Sequence, residues 1–293
     1  KLIEKHGQIP SEYLQNRSCP NCGDDKRNEI ELKKDYLNLV KCNSCKLVYT
    51  NPLFNEEHYK EIYKSEEYQN IVKDLGESSH VYRKNRFGKE RINNIIKYFT
   101  TKKIKILDVG CSTGFFVEAA KDSGLDCIGI DLNPSAIEFG QKRGLELYVK
   151  DIFDITNQRF DVITLFDVLE HLINPSEIID KTYKLLNSGG IISIYVPNYD
   201  SASRMLMGKD AHFIWPTHHL NYYNIDTLSN FLEIRNFEIL EINTEGLDIF
   251  DYMWKEQNED KNVYGLEKIA DKLQFFINAG GYGKNLRVIA RKK

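Results

Sequence analysis

The apolar positions of this chain change period along its length. From residue 104 onward, short β-branched runs alternate with stretches whose apolar residues recur every three to four positions. Ile104 to Val109 (IKILDV) reads as a strand, and the helix-competent segment from Phe115 stops at Gly124. Leu125 to Ile130 is a second strand, ending at Asp131. Asn133 and Pro134 then supply an N-cap and a first-turn proline for a helix to about Gly144. Leu145 to Val149 is a third strand, ending at Asp151. Phe160 to Phe166 (FDVITLF) is an unbroken apolar run of the kind a parallel sheet buries on both faces. Asn174-Pro175 opens another helix through Leu186, Gly189-Gly190 ends it, and Ile191 to Val196 is the fifth strand. This alternation predicts a doubly wound α/β sheet with its ligand crevice at the carboxyl ends of the strands.

The turn after the first strand, Gly110-Cys-Ser-Thr-Gly114, places glycine at both ends. The backbone can therefore approach a ligand closely, and the first N–H groups of the following helix point at it. A dinucleotide fingerprint needs a middle glycine, and that position is Ser112, so nicotinamide and flavin cofactors lose ground. Asp131, at the end of strand two, is placed to accept both hydroxyls of an unphosphorylated ribose; the bland alternative is an exposed turn aspartate.

Ahead of this region lie four paired cysteines, Cys19, Cys22, Cys42 and Cys45, spaced C-x2-C-x19-C-x2-C. Two such knuckles aim four thiolates at one point, a closed tetrahedral zinc shell with no open position, hence a structural site. Two disulfides, or free buried thiols, are the alternatives. Tyr36 to Val40 reads as the strand feeding the second knuckle. Residues 1–60 carry 10 Lys/Arg against 9 Asp/Glu, a balance that disfavours a phosphate-tracking surface. A helix is expected from about Ser79 to Phe99, with Ile92, Ile95, Ile96 and Phe99 on one face. Its other face carries Arg83, Lys84, Arg86, Lys89 and Arg91, read mostly as solvated, with Tyr82 or Arg86 reaching the ligand as part of a lid. The expected organisation is a zinc-ribbon module (1–60), a linker with lid helices (61–100) and a main domain (101–293).

Composition changes this picture little. The 293 residues carry a net charge of −3, so no global field recruits nucleic acid or a membrane surface. No run reaches the roughly 18 apolar residues of a transmembrane helix, and the first residues have no signal-peptide core. A cytoplasmic location without membrane contact is the expectation.

Taken together, LDVGCSTG, GIDLNP, KDIFD, FDVITLFDVLEHL and LLNSGGIISIYVPN resemble the ordered motifs of class I S-adenosylmethionine-dependent methyltransferases. The resemblance implies a seven-stranded, mostly parallel Rossmann-like sheet, with Phe237 to Asn243 and Leu286 to Ala290 as its closing hairpin. It implies S-adenosylmethionine as cofactor. Asp108, Gly110, Cys111 and Gly114 would face the methionine end, and Asp131 with Leu132 the ribose. Asp151 with Ile152 would border the adenine, and Phe166 and Asp167 would line the crevice. The cysteine module with DYLNLVKCNSCKLVYTNP resembles the N-terminal zinc module of a methyltransferase subgroup tied to sugar and surface-polysaccharide modification. Sugar C-methyltransferases of that subgroup carry a long further C-terminal domain for which this chain has no room, so O-methylation is expected.

The acceptor side should come from loops after strands four and five. Pro216-Thr-His-His219-Leu220 resembles the histidine-bearing segment of related small-molecule methyltransferases. His219 is favoured over His218 as general base, with His171 after strand four a second candidate. Each has a structural alternative: His219 as a packing or capping residue ahead of a helix at Asp226 to Asn236, His171 as a crevice wall. A metal on His212, His218 and His219 ranks third, since no carboxylate sits at ligand spacing beside them in sequence. Trp215, Tyr222 and Tyr223 stack on a ligand or pack in the core. Residues 244–283 contain one amphipathic helix, Gly265 to Asn278, expected to pack on the sheet, cover the acceptor pocket or form a homodimer face. The expected function is methyl transfer to a hydroxyl of a sugar or nucleotide-linked sugar in polysaccharide biosynthesis. An RNA methyltransferase gripping substrate with the ribbon, and a non-catalytic cofactor-binding module, are the alternatives.

Overall fold

The computed structural model describes residues 8–26, 29–101, 103–258 and 263–293. The chain opens with five short strands: β1 (Leu14–Gln15), β2 (Glu29–Lys34), β3 (Leu37–Lys41), β4 (Val48–Thr50) and β5 (Leu53–Phe54). β1 pairs with β5, and β2, β3 and β4 form an antiparallel meander. The strand expected from Tyr36 begins one residue later. Asp35 and Tyr36 both adopt positive φ (51° and 63°), the backbone of a tight hairpin turn, which leaves Tyr36 exposed.

Two helices follow, each opened by a side-chain cap. Asn55 accepts from the His58 N–H ahead of α1 (Glu56–Lys64), and Ser65 from the Tyr68 N–H ahead of α2 (Glu66–Arg83). A π-helical turn, Lys84–Gly88, then leads into α3 (Lys89–Ile96). The helix expected to start at Ser79 is thus the second half of a longer one. Its capping signal, Ser65 followed by Glu66-Glu67, lies a dozen residues upstream. The π turn also shifts the register of its faces.

The main sheet comprises β6 (Lys105–Val109), β7 (Asp126–Asp131), β8 (Leu147–Val149), β9 (Phe160–Phe166), β10 (Leu186–Pro197), β12 (Phe237–Glu245) and β13 (Asn285–Lys292). Interleaved with them are α4 (Phe115–Asp122), α5 (Pro134–Lys142), α6 (Pro175–Leu185), α7 (Ala202–Met207), the two-residue strand β11 (Asn221–Tyr222), α8 (Ile225–Glu233), α9 (Asp248–Asn258), α10 (Tyr264–Glu267) and α11 (Ala270–Ala279). The strand order is β12-β13-β10-β9-β6-β7-β8, parallel throughout except that β13 runs antiparallel to both its neighbours. This is the Rossmann-like methyltransferase sheet. Phe160, Val162, Ile163 and Leu165 of β9 are fully buried, as a central strand covered on both faces requires. Gly189 and Gly190 do not stop α6. They lie in the irregular start of β10, whose register against β9 shifts between Leu186 and Ile191.

β11 leaves the main domain altogether and adds to the edge of β4, so the cysteine-bearing sheet is completed by a strand from the loop after β10. Arg17 fastens the same seam, donating to Ile173 O (2.9 Å), Leu220 O (2.6 Å) and Asn221 Oδ1 (3.1 Å). The single amphipathic helix expected at Gly265 to Asn278 is two helices, α10 and α11, and α9 precedes them. The layer is pinned by the fully buried Asp248, whose carboxylate accepts from Ser203 N, Lys284 N and Gln274 Nε2. Phe275 and Phe276 of α11 face solvent. No helix among the described residues is long and apolar enough to cross a membrane.

Candidate active site

The crevice at the carboxyl ends of β6, β7 and β9 has one wall made of backbone. The turn after β6 runs Gly110 (φ 73°), Cys111, Ser112 (φ 50°), Thr113, Gly114 (φ 80°). At Gly110 a Cβ would lie 2.6 Å from Val168 Cγ2, so only glycine lets the loop after β9 close down on the turn. Ser112 occupies left-handed space without being glycine, a conformation that costs about 1 kcal/mol. Its N–H donates to Asp131 Oδ2 (2.8 Å), while Asn133 N donates to Oδ1 (2.8 Å). The Asp131 carboxylate is thereby fixed at the end of β7 with a lone pair left on each oxygen, and burial raises its pKa. Asp108 is buried beneath the turn and accepts from Thr164 Oγ1 (2.6 Å); desolvation lifts its pKa to about 7, against the pull of Thr164 and Arg91. Cys111 is buried against Gly129, where a Cβ would meet its thiol at 2.7 Å.

Beyond Asp131 the rim turns apolar. Leu132, Val149 and Phe153 are exposed there, and Ile152 is buried beneath. Asp151 caps the short turn that starts at Ile152, accepting from Phe153 N (3.0 Å). Phe166, at the end of β9, packs edge-on against Phe116, and Asp167 next to it adopts φ 59°.

The second wall is the α2–π–α3 segment. Arg91 lies on the buried face of α3 with Gly88, Ile92 and Ile95, not on a solvated one, because positions 88, 91, 92 and 95 share one helical stripe. Its guanidinium lies 4.3 Å from the centroid of the Phe166 ring and 4.6 Å from that of Tyr195, and Arg83 sits 4.3 Å from that of Phe115. Both arginines place an Nη2 at 3.9 Å from Asp167 Oδ2, and Arg91 Nη1 is buried without a partner among the described residues. The residues of this segment that enter the crevice are therefore Arg83 and Arg91. Tyr82 is exposed on Phe87, and Arg86 pairs outside with Glu90. The segment is clamped to the glycine turn by buried His80, which shares hydrogen bonds with Thr113 Oγ1 (2.9 Å) and Glu118 Oε2 (2.7 Å). Glu118 is also paired with Arg143 and Lys84, which, Arg143 foremost, hold its pKa down at about 2.

The third wall carries the histidines. His171 Nδ1 donates to His218 O (3.0 Å) and His219 Nδ1 to Phe213 O (2.7 Å). A carbonyl can only accept, so both rings carry their proton on Nδ1 and leave Nε2 unprotonated. Burial keeps both neutral, His219 with a pKa lowered to about 3. The rings are 4.8 Å apart. Asn221 ties the two loops together, donating through Nδ2 to Leu169 O and Leu172 O. His218 instead stacks on half-exposed Trp215 (3.8 Å) and faces Tyr68 of α2. His212 lies apart, against Trp254. Tyr222 and Tyr223 are core residues, and the helix after them is capped by Asn224. A carboxylate does reach the histidines, through space: Glu170, His171 and His219 bring their donor atoms within 4.8 Å of one another.

The four ribbon cysteines converge as well. Cys19 Sγ lies 3.4 Å from Cys45 Sγ, and Cys22 Sγ 3.6 Å from Cys42 Sγ, close to the roughly 3.7 Å edge of a tetrahedron with metal–sulfur distances of about 2.3 Å. Each knuckle closes on a left-handed residue, Gly23 or Lys46, whose flanking amides bond back across the turn. The cluster can hold a metal ion, and the cysteines are not disulfide-bonded.

A sheet of this order, with a glycine turn after β6 and a fixed carboxylate at the end of β7, defines the class I S-adenosylmethionine-dependent methyltransferases. The chain belongs to the methyltransferase domain family, whose model matches residues 82–242. It is 30% identical over 133 residues to a ubiquinone biosynthesis O-methyltransferase of Xylella fastidiosa, covering 42% of this chain and 54% of that one. It is 27% identical to the protein of the same name from Pseudomonas entomophila, covering 42% and 57%. The chain thus spans little more than half the length of these relatives. Among solved structures, an S-adenosylmethionine-dependent methyltransferase from Archaeoglobus fulgidus aligns over 81% of this chain and all of that one (21% identity, TM-score 0.51). The plantazolicin methyltransferase BpumL, in complex with S-adenosylhomocysteine, aligns over 80% and 93% (16% identity, TM-score 0.55).

Proposed function

We propose that this protein methylates a hydroxyl group of a small polar acceptor, a sugar or nucleotide-linked sugar, using S-adenosylmethionine. The observation that carries the reading is the pair of unprotonated Nε2 atoms on His171 and His219, fixed by backbone carbonyls beside the loop that closes on the glycine turn. The relatives named as O-methyltransferases support transfer to oxygen; the ubiquinone in their name belongs to them.

The residues present fit the cofactor. Asp108 and the turn from Gly110 through Cys111 to Gly114 would hold the cationic methionine end, and Arg83 and Arg91 its carboxylate. The two remaining lone pairs of Asp131 suit the ribose hydroxyls, with Leu132 beside them. Asp151, Ile152 and the apolar rim suit the adenine, and Phe166 and Asp167 close the crevice. Bound there, S-adenosylmethionine supplies an electrophilic methyl group. His219 Nε2 takes the proton of the acceptor hydroxyl, with His171 the neighbouring acceptor and His218, stacked between aromatic rings, a wall. The ribbon cysteines would hold structural zinc and keep β4 and β11 in register.

The test is release of S-adenosylhomocysteine with a panel of nucleotide-sugars, together with a mass gain of one methyl on the acceptor. Binding of S-adenosylhomocysteine without turnover on any polar hydroxyl acceptor would overturn the acceptor assignment. An RNA substrate has no observation in its favour, since the charge of residues 1–60 is balanced. A mobility shift with RNA at low salt would reinstate it.

A further inference from the structure

Glu170 is the one member of the acceptor wall that the proposed methyl transfer leaves without a task. Its side chain is buried at 2% exposure, Oε2 has no hydrogen-bond partner among the described residues, and Oε1 lies 3.9 Å from His171 Nε2. A buried carboxylate oxygen without a donor is costly, and such a group is ordinarily paired or bound to a metal. The two imidazoles beside it have the arrangement of metal-ligating histidines. Each gives its Nδ1 proton to a main-chain carbonyl, which fixes the ring and leaves the Nε2 lone pair free to bind a cation.

We propose that Glu170, His171 and His219 form a divalent cation site, distinct from the four-cysteine cluster. The two loops that carry the donors are already stitched together, through Asn221 Nδ2 to Leu169 O and Leu172 O and through Leu220 N to Glu170 O. The donor atoms lie within 4.8 Å of one another, against the roughly 3.4 Å that separates tetrahedral ligands held about 2.1 Å from zinc. Two imidazoles and one carboxylate suit zinc, iron(II) or cobalt(II) and disfavour magnesium and calcium. Three protein ligands leave positions open toward the crevice, where water or an oxygen of the acceptor completes the shell. The role of the ion, though not its binding, rests on the proposed methyl transfer: loaded, His219 Nε2 is a ligand, and in the metal-free protein it is the proton acceptor.

The experiment is a zinc count on the whole chain after removal of loosely held metal, paired with calorimetric titration of S-adenosylhomocysteine on the same sample. The expected result is two zinc ions per chain, falling to one in the His171→Ala/His219→Ala double variant with S-adenosylhomocysteine affinity within about threefold of wild type. Should the double variant fail to fold, cobalt substitution of the wild type decides. The first equivalent gives thiolate charge-transfer absorption from the ribbon, and the second adds d–d bands without further thiolate intensity. One zinc per chain with normal S-adenosylhomocysteine binding, or a second zinc untouched by the histidine substitutions, overturns the site and leaves the methyltransferase reading standing. A second zinc held by a protein that does not bind S-adenosylhomocysteine overturns the methyltransferase reading alone.

Discussion

The two sides of the crevice are built from different material. The proposed cofactor side is largely main chain: a turn with three positive-φ residues, a carboxylate fixed by two amide N–H groups, and glycines where a Cβ would collide. The proposed acceptor side is side chains gathered from distant segments, with Glu170 and His171 after β9 and His219 after β10. The turn itself is encoded locally, in Gly110 to Gly114. A constellation that joins positions 170 and 219 depends on the whole fold. The first kind of site constrains what the protein binds, and the second is free to choose what it modifies.

Substitutions can separate the sides. The largest effect is expected at the acceptor wall: His219→Ala should lower turnover by about 10²- to 10⁴-fold, the range for loss of a general acid–base group. Its affinity for S-adenosylhomocysteine, measured by calorimetry, should hold; equal losses in both would merge the two sides. Asp131→Ala should do the reverse, weakening S-adenosylhomocysteine binding roughly 100-fold through the loss of two charge-assisted hydrogen bonds. Gly110→Ala meets both a positive φ and Val168 at 2.6 Å, and should destabilise the fold by about 2 kcal/mol, read as a lower denaturant midpoint.

The lid clamp has a pH signature. The Glu118 pKa is lowered from 4.5 to about 2, chiefly by Arg143, so its contribution to stability is present above about pH 4.5 and disappears as pH falls toward 2. Glu118→Gln should accordingly melt below wild type at pH 7 and converge with it near pH 2 to 3. A constant difference across that window would detach the clamp from this charge. The smallest effect is a gain: Ser112→Gly should stabilise the chain by about 0.5–1 kcal/mol by relieving the left-handed serine.

The same division governs what could be read before the structure. FDVITLF gave β9 to the residue, because an unbroken apolar run between turn signals has few other fates, and the cysteine spacing implied the converged cluster. The turn after β6 was legible from its glycines. Arg91 was not, since a helical face scored by charge counts it with Lys84 and Lys89, and only its spacing from Gly88, Ile92 and Ile95 puts it on the buried stripe. Likewise β11 gave no signal: two residues, Asn221 and Tyr222, become a strand only because β4 offers an edge. Glu170 escaped notice as a ligand because its partner His219 is 49 positions away, so no local spacing rule applies.

Calorimetric titration of S-adenosylhomocysteine into wild type, Asp131→Ala and His219→Ala tests most directly the proposal that Asp131, and not His219, holds the cofactor. One molecule should bind per wild-type chain, roughly 100-fold more weakly to Asp131→Ala and equally well to His219→Ala. No binding by the wild type, or undiminished binding by Asp131→Ala, would contradict it.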